Sequence, residues 1–102
     1  MDIIKNFEDG ILTLNLIGRL DTTTSPLLEN EVKELTEDVK ELVFDLDKLD
    51  YISSAGLRVF LSAQKIINGF ENKMIVKNVK DEVLEVFEIT GFTDILNIEK
   101  EK

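Results

Sequence analysis

Apolar and polar residues alternate at two different periods along this chain, and the switch points divide it into elements. Leu12, Leu14 and Leu16 alternate with Thr13 and Asn15, the period of two that marks a half-buried strand. The preceding "MDIIKNFEDG" alternates as well, and Asp9-Gly10 is the pair a tight primed turn needs, because glycine reaches positive φ without steric cost. A β-hairpin is therefore predicted. Gly18 is expected to end the second strand, and "RLDTTT" has the composition of a loop. From Ser25 the period changes: Leu28, Val32 and Leu35 fall on one helical face, with Ser25 placed to cap and Pro26 suited to the first helical position. "ELVFDL" is rich in β-formers and reads as a buried strand, followed by a loop, "DKLDYI". A helix is expected to begin at Ser53 or Ser54 and to end at Gly69. Leu57, Phe60, Ala63 and Ile67 lie on one side of it, and Arg58, Ser62 and Lys65 on the other. "KMIVKNV" reads as a strand, and "DEVLEVFEIT" as a short helix stopped by Gly91 in the C′ position. "DILNI" reads as a weak final strand, and the charged tail, residues 99–102, is expected to fray.

The order β-β-α-β-α-β-α-β fits a single domain over residues 1–102, with no linker and no internal repeat. Successive strand-helix-strand units imply parallel neighbours joined by right-handed crossovers, and adding strands in one direction places the helices on one face. The amino-terminal hairpin adds an antiparallel edge, so the expected α/β sheet is mixed and mostly parallel. "GRLDTTT" and "DKLDYISS" both follow parallel strands, so both fall at the carboxyl edge of the sheet, where open α/β sheets place their sites. Asp21 and the Ser53-Ser54 pair are thus expected to be neighbours.

Composition narrows the chemistry available there. The chain has neither cysteine nor histidine, which removes thiolate nucleophiles, disulfides, the commonest metal ligands and the Ser-His pair. A formal charge of −9 opposes binding to nucleic acid or anionic membrane and favours a basic partner. No apolar run approaches the roughly 18 residues of a membrane span, and the first ten residues lack the hydrophobic segment of a secretion signal, so a cytoplasmic location is expected. A serine before a helix is ordinarily an N-cap, although neither Ser53 nor Ser54 has a glutamate or glutamine three residues on to complete a capping box. Without a histidine, neither is an activated nucleophile. Asp45, Asp47 and Asp50 lack the glycine and distal glutamate of a calcium loop and read as solvated carboxylates. No phosphate-binding glycine motif occurs, and neither a cofactor nor a metal is expected on this chain.

"YISSAGLRVFL" resembles the signature of STAS-domain anti-sigma factor antagonists, the anti-anti-sigma factors. Around it "GRLDTTTSPLLENEV", "LVFDLDKLDYISSAGL", which contains the signature's start, and "VFEITGFTDILNI" resemble three blocks of that family, in order and with the spacing intact over nearly the whole chain. The resemblance implies a mixed sheet with helices on one face. It implies a bacterial partner switch in which the protein binds an anti-sigma factor that is also a serine kinase, so that a sigma factor is released. Phosphorylation of the motif serine two places before the glycine ends that binding, and a phosphatase resets it. Counted back from Gly56, that serine is Ser54, with Ser53 the second choice because it stands where many relatives carry an acidic residue. Asp21 matches the acidic residue beside the phosphorylation site. ATP and magnesium would belong to the kinase, so the resemblance makes this chain a substrate and ligand and not an enzyme. The expected partner-binding face comprises Asp21, Thr22, Ser53, Ser54, Gly56, Arg58, Ser62 and Lys65.

Two other classes compete with that reading. A STAS module can serve a stress-signalling scaffold or regulate a transporter without phosphorylation, and the fold alone does not separate these roles. A small enzyme would have to work without histidine or cysteine, and no constellation of residues supports one.

Overall fold

The computed structural model describes residues 1–100. Its strands are β1 (Asp2–Glu8), β2 (Ile11–Leu20), β3 (Glu41–Ile52), β4 (Lys73–Val79) and β5 (Ile98–Lys100); its helices are α1 (Ser25–Lys33), α2 (Ser54–Gly69) and α3 (Asp81–Ile89). The five strands form one sheet in the order of the sequence. β1 is antiparallel to β2, and the three later pairs are parallel. Asp9 and Gly10 both adopt positive φ, 53° and 80°, as a primed hairpin turn requires.

One face of the sheet carries the core. Leu12, Leu14 and Leu16 of β2, Leu42, Phe44 and Leu46 of β3, and Met74 and Val76 of β4 are buried together with α2 residues Leu57, Phe60, Ala63 and Ile67. On β2 and β4 the intervening positions, Thr13, Asn15, Ile75 and Lys77, are only half-buried. The helices lie over the first face, and Phe60 forms edge-on contacts with Phe44 at 4.7 Å and with Phe87 of α3 at 5.8 Å between ring centroids.

The observed elements differ from the sequence reading at five places. β2 runs through Gly18 to Leu20, because Gly18 takes φ of 106° at a ladder irregularity and the strand continues beyond it. "DKLDYI" is strand: β3 extends to Ile52. The register jumps between Asn15 and Ile17 and again between Gly18 and Arg19, each jump adding one residue to β3, which is the mark of a β-bulge. Burial on β3 accordingly passes from alternation at Leu42, Phe44 and Leu46 to every third residue at Leu46, Leu49 and Ile52. A period-two test fails on that stretch. α1 stops at Lys33, and its cap position is Thr24, with Ser25 already inside the helix. The segment at 94–98 is mostly not strand: Phe92–Asp94 form a single 3-10 turn after Gly91, which has φ of 80°, and pairing begins only at Ile98. Glu99 and Lys100 are therefore in β5 where fraying was expected, and the rest of that tail lies outside the described residues.

Candidate functional site

The site grows from the end of the β2–β3 ladder. Leu20 pairs with Ile52 in register, and the next N–H, that of Ser53, donates to the Leu20 carbonyl at 2.9 Å. The chain leaves both strands at one point, so the turn containing Asp21 and the start of α2 lie side by side. Gly56 makes the approach possible. A Cβ there would sit 2.7 Å from Leu20 Cγ and 3.1 Å from Ile52 Cγ1, inside the contact limit of buried side chains. Gly56 is buried and acts through packing; it offers a partner no surface.

The two serines have different jobs. Ser53 is the N-cap in extended conformation, and its Oγ accepts a long hydrogen bond, 3.4 Å, from the Gly56 N–H. Ser54 is the first residue of α2 and is exposed. It stands in the first turn, whose leading backbone N–H groups have no partner within the helix and mark the positive end of the helix dipole.

Asp21 organises the opposite wall. Its Oδ1 accepts from the backbone N–H groups of Thr23 and Thr24, each at 3.0 Å, and the Thr24 hydroxyl lies 3.1 Å away. Thr24 Oγ1 also accepts from the Asp21 N–H at 2.9 Å, and its one proton has the Arg19 carbonyl at 2.8 Å and Asp21 Oδ1 as alternative acceptors. The Ser25 hydroxyl donates to the Asp21 carbonyl at 2.6 Å. The Thr24 N–H foremost, helped by the Thr24 hydroxyl, the Thr23 N–H and the Arg19 charge, holds the Asp21 carboxyl below the usual aspartate range against an opposing desolvation. Asp21 is therefore a fixed negative charge at neutral pH. Its folded pKa is depressed, so its stabilising contribution is complete above the unfolded value and is lost as pH falls through the folded one. A carbon-detected titration of the Asp21 carboxyl is expected to give a midpoint below that of unstructured aspartate. An ordinary midpoint would contradict the hydrogen-bonded turn.

Between α1 and α2 lies a cleft of about 370 Å³, walled by Thr22, Ser25, Pro26 and Glu29 on one side and Ala55, Arg58, Val59 and Ser62 on the other. The structure thus gathers Asp21, Thr22, Ser53, Ser54, Arg58 and Ser62 at one edge. Lys65 is exposed on the same helix but does not line the cleft. Sequence reasoning missed Thr24 and Glu29. Their signals were present as Thr24 three residues after Asp21, and Glu29 one helical turn after Ser25. On the other side of the sheet edge the Arg19 guanidinium stacks over Tyr51, 4.2 Å from the ring centre.

Asp45, Asp47 and Asp50 do not form a cation loop. All three are on β3; Asp45 Oδ1 accepts from the Asp47 N–H and from Asn78, and Asp50 pairs with Lys80 at 2.7 Å. Among the described residues, no group of three or more acidic side chains is arranged to hold a metal ion. No helix among them is long and apolar enough to cross a membrane.

Comparison with known proteins places these features in a family. A family model described as the STAS domain matches residues 2–102. A candidate anti-sigma factor antagonist of Bordetella bronchiseptica, BtrV, is 36% identical over 99 residues, covering 96% of this chain and 85% of its own. The anti-sigma-B factor antagonist of Bacillus subtilis is 28% identical over 98 residues, covering 96% of this chain and 88% of its own. Among solved structures, the anti-sigma factor antagonist SpoIIAA in its unphosphorylated form matches with a TM-score of 0.77 at 12% identity, covering 99% of this chain and 89% of that one. The phosphorylated form of the same Bacillus protein matches with a TM-score of 0.76 at 14% identity, covering 98% and 93%. These two likenesses establish the fold.

Proposed function

The chain belongs to the STAS domain family, and from that premise we propose that it is an anti-sigma factor antagonist whose binding is switched off by phosphorylation of Ser54. The names of the two relatives support the first half of this reading. The second half rests on the division of labour at the start of α2, where Ser53 caps the helix and Ser54 is exposed as its first residue. The partner in this reading is an anti-sigma factor with serine kinase activity, which supplies ATP and magnesium. Its active site transfers the γ-phosphoryl group to Ser54 Oγ. The bond from γ-phosphorus to the bridging oxygen breaks, a bond to Oγ forms, the hydroxyl proton passes to a base of the kinase, and ADP leaves. A phosphatase reverses the modification by hydrolysis.

The site suits such a switch physically. A phosphoserine brings about −1.5 to −2 charges and three acceptor oxygens, and a helix start can hold them with free N–H groups and its dipole. The fixed charge of Asp21 lies on the neighbouring turn. It would repel that phosphate, as would the nucleotide phosphates in the kinase of this reading.

The test is phosphorylation of the purified protein by the cognate kinase with ATP, followed by mass-spectrometric mapping. Modification is expected on Ser54, with none on Ser54→Ala and full retention on Ser53→Ala. Label remaining on Ser54→Ala would overturn the assignment. Equal capture of the anti-sigma factor by modified and unmodified protein would favour a module that binds constitutively.

A further inference from the structure

The helix layer covers the edge strand β1 only in part: Ile3 is half-buried against the core, and most of the strand is exposed. The register pairs Ile3 with Leu16, Lys5 with Leu14 and Phe7 with Leu12, so these three β1 residues point to the same face as the buried leucines. Phe7 is nevertheless 53% exposed. Between it and the last turn of α1 runs a groove of about 220 Å³, floored by Phe7, Leu12, Leu35 and Val39. Its rim is acidic, formed by Glu31, Glu34 and Asp38.

We infer that this groove is a second docking surface, for a basic amphipathic segment of a partner protein. The rim already accepts an ammonium group: Lys5 Nζ lies 3.0 Å from Glu31 Oε2 and 3.9 Å from Glu34 Oε2. Two carboxylates share that single cation, and Asp38 has no cation within ion-pairing distance among the described residues. Carboxylate is in surplus over an apolar floor, which complements a segment with apolar residues on one side and lysine or arginine at their flanks. A second copy of the chain would bring another −9 charge and the same acidic rim, so it fits poorly. Anionic lipid or nucleic acid meets the same repulsion.

The groove also stands apart from the Ser54 site. α1 begins beside Asp21, at the carboxyl edge of β2, and ends at the groove, beside Leu12 near the start of β2. An occupant there leaves the other edge uncovered, and the inference does not depend on the proposed function.

The test uses a labelled 14-residue amphipathic peptide of leucine and lysine, with a glutamate-for-lysine version as control, read by fluorescence anisotropy and amide chemical shifts. The lysine peptide is expected to bind, with shifts confined to β1, the end of α1 and residues 36–39. The double variant Glu31→Lys/Glu34→Lys is expected to weaken binding at least tenfold, and Phe7→Ser to weaken it at both low and high salt. Glu82→Lys/Glu85→Lys, an equal change of net charge on exposed positions of α3, is expected to cost less than threefold. Equal losses in the two double variants would reduce the effect to bulk charge and overturn the proposal. So would shifts centred elsewhere, equal binding of the glutamate peptide, or self-association abolished by Phe7→Ser.

Discussion

A Phe60→Ala variant is expected to lose about 3–5 kcal/mol of folding free energy. Phe60 is fully buried, at 0% exposure, and its ring is held edge-on by Phe44 from the sheet and by Phe87 from α3. Removing it deletes apolar area and two aromatic contacts at the junction of three elements. The cavity cannot collapse easily, because its walls are a central strand and two helices packed on it. For a domain whose total stability is of order 5–15 kcal/mol, that is a large fraction. Thermal unfolding followed by circular dichroism should show a midpoint lower by about 15–25 °C. Phe60→Leu keeps most of the volume and covers the case in which the alanine variant fails to fold. Ser62→Ala, on the exposed side of the same helix, should change stability by no more than about 0.5 kcal/mol. A loss below about 1 kcal/mol for Phe60→Ala would mean that α2 is not anchored through this ring.

The second large effect concerns binding. Ser54→Asp is expected to weaken association with the cognate anti-sigma factor at least tenfold, about 1.4 kcal/mol, without altering thermal stability appreciably. The asymmetry follows from position. Ser54 is exposed at the first turn of α2, where a carboxylate meets free N–H groups and the positive end of the dipole. The folded chain therefore tolerates the charge, while on the proposed function the kinase's nucleotide phosphate would meet it with like-charge repulsion worth up to several kcal/mol. Ser53→Asp provides the comparison, since aspartate caps a helix about as well as serine. If affinity, measured by isothermal titration calorimetry, fell equally in both variants, the charge-sensitive position would not be specific to Ser54. Unchanged affinity for Ser54→Asp would leave only the full phosphate able to act, and unchanged affinity after phosphorylation would end the switch model.

Legibility of the fold varied with the kind of signal each element carried. The β1–β2 hairpin was readable because Asp9-Gly10 determines its own turn and the strand after it alternates cleanly. Residues 73–79 and the C′ role of Gly91 were readable for similar local reasons. The end of β3 was not. Its two bulges convert alternation into a three-residue spacing at Leu46, Leu49 and Ile52, and a bulge exists only relative to the neighbouring strand. β5 was misplaced by a few residues because its pairing is set by β4, whose own ladder is irregular where Asn78 takes φ of 57°.

The sequence by itself determined the order of elements, the parallel character of the sheet, the absence of histidine and cysteine chemistry, and the edge at which Asp21 and the serines meet. These follow from local periodicity, composition and the handedness of crossovers, none of which needs coordinates. Only the tertiary structure decided what each group does at that edge. Two adjacent serines have the same propensity to start a helix, and their separation into cap and exposed first residue is fixed by where Ser53 N–H reaches the Leu20 carbonyl. Likewise, an uncovered Phe7 beside three carboxylates arises because α1 ends where it does over the sheet, a relation between elements distant along the chain.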